Sequence, residues 1–277
     1  MVSSSQGFDV REDWTEGDID ADGVRLHFYR TGTGGQPPVV LVHGFSDNGL
    51  CWSRVARLLE TAFDVVMIDA RNHGRSTTAS GDLSDSAEDV RAVIIGLELD
   101  RPTVVGHSIG AAAAAELAAR HPGLVSRLVL EDPPWQEAPE ESLALSQQRR
   151  DGARAYLNSV TTMTEREIRV LGHSQHPDWE DTDIADWVVA KRQVRVEAVF
   201  SLTRSSWSDV IDRIGCPTLL IHGDPARGGI VTPALAERVG TSNGWIVTCS
   251  IENSGHNIRR ENFARYSEVL GAFLTSG

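Results

Sequence analysis

The chain reads as an α/β protein: a mostly parallel sheet flanked by helices, with a helical cap inserted after the sixth strand. Three observations lead there. Short continuous apolar runs alternate with helical stretches, the pattern of strands buried on both faces and joined by covering helices. That alternation breaks once, where about 75 residues between the apolar runs at 128–130 and 218–221 read as helices only. Finally, the run at 102–105 passes through a glycine-flanked serine straight into an alanine-rich helix.

The elements follow in order. Residues 19–30 read as a β-like pair. Apolar runs at 39–42, 65–68, 103–105, 128–130, 218–221 and 245–251 are the next strands, and 50–59, 87–99, 110–120 and 261–274 the covering helices. The alanine run at 111–115 suits close packing on the sheet. Within the break, 140–160, 164–171 and 183–202 carry helical spacing. The expected division is a core of 1–132 with 209–277 and a cap of 133–208. Trp135, Met163, Trp179, Trp187, Phe200 and Trp207 are the large apolar side chains of that cap. Most should pack its helices and some should line a pocket beneath it.

Ligands of such a sheet bind beyond the carboxyl ends of the strands, and two reactive side chains fall there. Gly106-His107-Ser108-Ile109-Gly110 stands between strand and helix, the setting of a nucleophile elbow: small residues at 106 and 110 allow a turn sharp enough to lift the serine hydroxyl clear. A serine needs a base to take its proton. His256, in Ser254-Gly255-His256-Asn257 between the last strand and the last helix, is the candidate. The strand at 39–42 ends in His43-Gly44, so the N–H groups of Phe45 and Ile109 can receive the negative charge that develops on an attacked carbonyl oxygen.

With these motifs in order, and with Asp69-Ala70-Arg71-Asn72-His73-Gly74-Arg75-Ser76 between them, the chain resembles the α/β-hydrolase superfamily from about residue 20 to its end. The family usually has glycine where Asn72 stands. It also implies structural roles for Arg71 and His73, beside the pocket. Most members place the third catalytic residue, an acid, after the strand that follows the cap. Only Asp224 is available in that loop, where it can instead cap a turn. A minority use an acid at the end of the preceding strand. Asp132, which lies 24 residues after Ser108, matches that spacing and is preferred, with Asp224 the alternative. Glu131 should point to the opposite face from Asp132.

The resemblance implies hydrolysis of an ester or lactone through an acyl-enzyme on Ser108, with no metal and no organic cofactor. A small hydrophobic or aromatic ester or lactone is the expected substrate, given an apolar cap. Related alternatives are a carbon-carbon bond hydrolase of a keto acid, a cofactor-free perhydrolase side reaction, and a slow-turnover receptor on the same fold. Members of the first kind often carry Trp directly after the histidine, where this chain has Asn257.

A formal charge of −13 argues against nucleic acid or an acidic membrane as partner. Residues 1–18 hold no apolar run, unlike a secretion signal, and no later run is long enough to span a bilayer. The expected location is cytoplasmic, with Cys51, Cys216 and Cys249 as buried reduced thiols. His173 and His176 lack companions at metal-ligand spacing and read as cap surface or packing. A homo-oligomer is compatible with the sequence.

Overall fold

A computed structural model describes residues 14–32, 34–135, 143–202 and 207–276. Residues 1–13, and residues 136–142 and 203–206 of the expected cap, lie outside the described residues. β1 (Thr15–Ala21) and β2 (Val24–Arg30) form an antiparallel hairpin, turned by Asp22 and Gly23 at positive φ. Next come β3 (Pro38–Val42), a short 3-10 turn (Gly49–Trp52), α1 (Ser53–Leu59), β4 (Asp64–Ile68), α2 (Leu83–Gly96), β5 (Thr103–His107), α3 (Ile109–Arg120) and β6 (Arg127–Glu131). Among the described residues, four α-helices follow before the sheet resumes: α4 (Leu143–Thr162), α5 (Glu165–Gln175), α6 (Asp181–Gln193) and α7 (Trp207–Ile211). The chain closes with β7 (Thr218–His222), α8 (Pro233–Ser242), β8 (Ile246–Ser250), α9 (Ile258–Glu261) and α10 (Phe263–Thr275).

The eight strands lie in the order β1-β2-β4-β3-β5-β6-β7-β8, with every pair from β4 to β8 parallel. Because side chains alternate along a strand, each central strand feeds two layers. Val40, Val66, Val104, Leu128 and Leu220 meet residues of α2, α3, α7 and α8 on one face. Val39, Leu41, Val65, Met67, Val105 and Val129 meet α1 and α10 on the other. This two-sided burial explains the continuous apolar runs. Trp135 is buried in the first layer and Trp207 packs against it, so neither belongs to the inserted helices' own core. That smaller core is Ile168, Trp179, Ile184, Trp187 and Val188, with Met163 against it.

The departures from expectation are local. α2 begins four residues early because Asp82 and Asp85 form a reciprocal cap. α8 was not foreseen. Its signals were Thr232 as N-cap and Pro233 in the first turn, over a short apolar face of Leu235, Ala236 and Val239. The helix expected to run through 183–202 ends at Gln193 and resumes as a 3-10 turn (Val196–Ser201). Cys51 and Cys216 are buried as expected, but Cys249 on the outermost strand is half-exposed. Among the described residues no helix is long and apolar enough to cross a membrane.

Gly110 brings α3 against the end of β3: a Cβ there would collide with the carbonyl oxygens of Val42 and His43. Gly110→Ala should therefore cost about 1–3 kcal/mol or more in urea unfolding, as overpacking does. Gly271→Ala, on α10 with open space around it, should be stabilising by about 0.5–1 kcal/mol.

Candidate active site

Ser108 sits between β5 and α3 with φ 53° and ψ −122°, a conformation that costs roughly 1–3 kcal/mol for a residue with a side chain. The surroundings hold it there. Its N–H donates to the Glu131 carbonyl at 2.9 Å, and its own carbonyl accepts from Ala111 and Ala112 at 3.0 and 3.1 Å. Gly106 lies against the backbone of Gly110 and Ala111, with no room for a Cβ.

His256 stands in the loop between β8 and α9. Its Nε2 lies 3.0 Å from Ser108 Oγ and its Nδ1 lies 2.6 Å from Asp132 Oδ2. A carboxylate oxygen only accepts, so Nδ1 carries the proton and the Nε2 lone pair faces the serine. Asp132 is fully buried at the end of β6. It accepts further hydrogen bonds from the N–H groups of Ile230 (2.8 Å) and Val231 (2.9 Å). Asp224 is instead spent on its own turn, accepting from Ala226 N–H at 2.8 Å. Of the two candidate acids, Asp132 is the one brought to His256, and the loop after β7 reaches it with backbone donors rather than a carboxylate. Glu131 faces elsewhere, accepting from Arg259 N–H at 3.0 Å and Nη1 at 3.2 Å. His107 Nε2 donates to the His256 carbonyl at 3.0 Å, tying the elbow to the histidine loop.

Phe45 and Ile109 share an apolar cluster with Leu83, Ala112 and Ala113. Ile109 is the first residue of α3, where an N–H has no preceding turn to bond. The loop that carries Phe45 turns at Ser46, φ 63°. Ser46 N–H donates to His73 Nε2 (3.3 Å), and His73 Nδ1 donates to the Arg71 carbonyl (2.8 Å). Arg71 is clamped to Asp89 through Nε at 2.6 Å and Nη2 at 2.8 Å. Both residues thus make structural contacts beside the pocket. Asn72 adopts φ 68°, the left-handed geometry that asparagine tolerates and glycine prefers.

A cavity of about 540 Å³ opens over Ser108, and His256, Phe45 and Ile109 border it. Trp179 and Trp187 line it; Trp135, Met163, Phe200 and Trp207 do not. The sequence reading missed its charged wall. Asp47, Arg149, Lys191 and Arg260 all border the cavity, and so does His176, which stacks on Trp179 at 3.8 Å between ring centres. Asp47 Oδ2 lies 3.0 Å from Arg260 Nη2 and 3.2 Å from Arg259 Nη2, and its Oδ1 lies 3.7 Å from Lys191 Nζ. Burial opposes charge on Asp47, but Arg260, Lys191 and Arg259 outweigh it and hold the carboxyl well below the usual range. Burial pushes Lys191 down to about 8, against the pull of Asp47. Burial, helped by Arg260 and Lys191, takes His176 down to about 4. The signal for this wall was present as Arg259-Arg260, just past His256, and Lys191, one turn after Trp187. In sequence such groups look like solvated helix ends. Among the described residues no cluster of His, Cys, Asp and Glu could hold a metal ion.

Burial, with His43 beside it, pushes His73 down to about 3, while the unfolded chain protonates near 6.5. The unfolded state therefore binds a proton that the folded state refuses, and stability falls as pH drops from about 6.5 towards 3. The slope from this one residue approaches 1.4 kcal/mol per pH unit. Urea unfolding across that range should show it, and His73→Gln should lower the slope by about one proton.

The family profile described as alpha/beta hydrolase fold matches residues 37–257. An N-formylmaleamate deformylase of Pseudomonas putida is 27% identical over 274 residues, covering 93% of this chain and 96% of the relative. In structure the chain is similar to an E-2-(acetamidomethylene)succinate hydrolase, with TM-score 0.80 and 18% identity over 95% of this chain and all of the other. It is also similar to the enol-lactonase of Burkholderia xenovorans, with TM-score 0.74 and 19% identity over 94% of this chain and all of the other. At those identities the structural likeness speaks for the fold, and with the profile spanning most of its length the chain belongs to the α/β-hydrolase fold family.

Proposed function

We propose that this α/β-fold hydrolase cleaves a small carboxylic ester or lactone through an acyl-enzyme on Ser108. The observation that carries the reading is the unbroken hydrogen-bonded line from Ser108 Oγ through His256 to Asp132. Ser108 Oγ bonds to the acyl carbon while His256 Nε2 takes its proton. The carbonyl oxygen becomes an oxyanion beside the Phe45 and Ile109 N–H groups. The carbon-oxygen bond to the alcohol then breaks, with His256 returning the proton to the departing oxygen. Water repeats the sequence on the acyl-enzyme and releases the acid. Asp132 keeps the proton on Nδ1 and stabilises the imidazolium. The helices α4–α6 serve as a lid that shields these steps from bulk water. The likeness to a deformylase makes an N-formyl amide a sensible member of any substrate panel, since the same steps serve a carbon-nitrogen bond.

One observation refines the substrate. Arg149, Lys191 and Arg260 border the cavity, and among the described residues Asp47 is the acid beside them. The field of such a wall favours an anionic group in the cavity over an apolar one. An acyl group that itself carries a carboxylate fits the wall better than the hydrophobic substrate expected from the cap aromatics.

Hydrolysis of p-nitrophenyl esters and of lactones should disappear in Ser108→Ala without loss of fold; persisting turnover would sink the mechanism. Asp132→Asn should lower kcat on the order of 10⁴-fold, and Asp224→Asn should leave it near the parent value. Comparing p-nitrophenyl hydrogen glutarate with p-nitrophenyl pentanoate, matched in length, tests the charged wall. The glutarate should be favoured in kcat/KM by about tenfold, and 0.5 M salt should narrow the gap. Equal rates would restore the apolar reading.

A further inference from the structure

Lys191 is an unusual lysine. It sits on α6 of the inserted helices, yet its side chain is 2% exposed and its ammonium reaches a loop 145 positions earlier in the chain. There it donates to both the carbonyl oxygen (2.9 Å) and the Oγ (2.8 Å) of Ser46. Burying an ammonium is costly unless every partner is supplied. Here the Trp187 ring, 4.6 Å away, and Asp47 complete the set. Ser46 directly follows Phe45, so the gripped residue is the next in the chain after the one that presents the Phe45 N–H. Ser46 is also the point where this loop turns through positive φ.

Other contacts bring the same end of α6 onto the core. Asn48 Nδ2 donates to Gln193 Oε1 at 2.8 Å, and Arg195 N–H donates to the Asn72 carbonyl at 2.9 Å. The inserted helices and the loop after β3 are thus joined at a seam next to Ser108, with the Lys191 ammonium at its buried centre.

From this geometry we propose that Lys191 is a positioning residue: by gripping Ser46 from the inserted helices, it sets the Phe45 N–H for the oxyanion only when those helices are seated on the core. The proposal rests on the reading of Phe45 as an oxyanion donor. It differs from a plain charge-balancing role for Lys191, which would need only the contact with Asp47. Asp47 retains Arg259 and Arg260 at 3.2 and 3.0 Å without it, so the lysine is not needed to neutralise that carboxylate.

The test is kinetic and structural together. Lys191→Met should lower kcat for a neutral p-nitrophenyl ester by about tenfold to a hundredfold, with KM changed far less. Lys191→Arg, which keeps a donor of similar reach, should recover part of the loss. Ser46→Gly keeps the turn but removes the Oγ acceptor, and should fall between parent and Lys191→Met; it stands in if the methionine variant does not fold. Amide hydrogen exchange of the Lys191→Met chain should show lost protection over residues 44–48, with β5 and α3 unchanged. A stable Lys191→Met protein with parental kcat and parental exchange in that loop would overturn the proposal and leave Lys191 as a charge partner of Asp47. If no ester is turned over by the parent, the hydrolase reading fails on its own, and the exchange result still decides whether the clamp exists.

Discussion

Asp47 is the point on which three otherwise separate parts of the chain converge. Its buried carboxylate faces Lys191 from the inserted helices and both Arg259 and Arg260 from α9, and it follows Phe45 and Ser46 in the loop after β3. Each of these ions would be prohibitive alone in a medium of low polarity. Together they are tolerable only in one arrangement, and that arrangement brings the loop beside Ser108, the roof of the cavity and the segment just after His256 into register. Trp52 beneath Arg259 and Trp179 beneath Arg260 add ring faces at 4.1 and 4.5 Å. The cost of misplacing a buried charge keeps the site's parts together more strictly than apolar contacts would.

The second constraint is the elbow. Ser108 occupies a strained backbone conformation because Gly106 and Gly110 let α3 approach β3 and β5 without side chains between them. The strain points the hydroxyl at His256 rather than along the strand. Asp132, also at positive φ, ends β6 in a comparable bend. It reaches across to His256 while the amides of Ile230 and Val231 hold its other lone pairs. Three N–H donors on one buried carboxylate compensate its loss of water, and they come from two loops, those after β7 and β8. A carboxylate at the end of β6 can thus meet His256 as well as one after β7 could, because the contact requires only an oxygen at Nδ1, whichever strand delivers it.

Much of this was legible in the residues. Strand-turn-helix patterning marked Ser108. Its position relative to the late Gly255-His256 and the early His43-Gly44 marked the rest of the line, because those features depend on backbone geometry that only certain residues allow. Asp132 and Asp224 could not be separated by spacing with the same force, since either loop has the reach. The separation came from direction: Asp224 turns back onto Ala226, while Asp132 faces Nδ1. α8 escaped because its apolar face is only three residues wide, too short for periodicity to rise above a loop. Lys191 and Arg260 escaped for a different reason. A charged side chain near a helix end is soluble by default, and only its neighbours in space can reveal that it is buried.

What the sequence by itself determined is therefore everything local: the alternation that builds a parallel sheet, the glycines that permit the elbow, and the reactive residue types at strand ends. What only the tertiary structure decided is which charges lose their water. Desolvation depends on segments such as Ser46, Lys191 and Arg260 being brought together from 145 and 214 positions along the chain. No local pattern encodes that approach, because the energy of a buried ion is set by the whole of its surroundings.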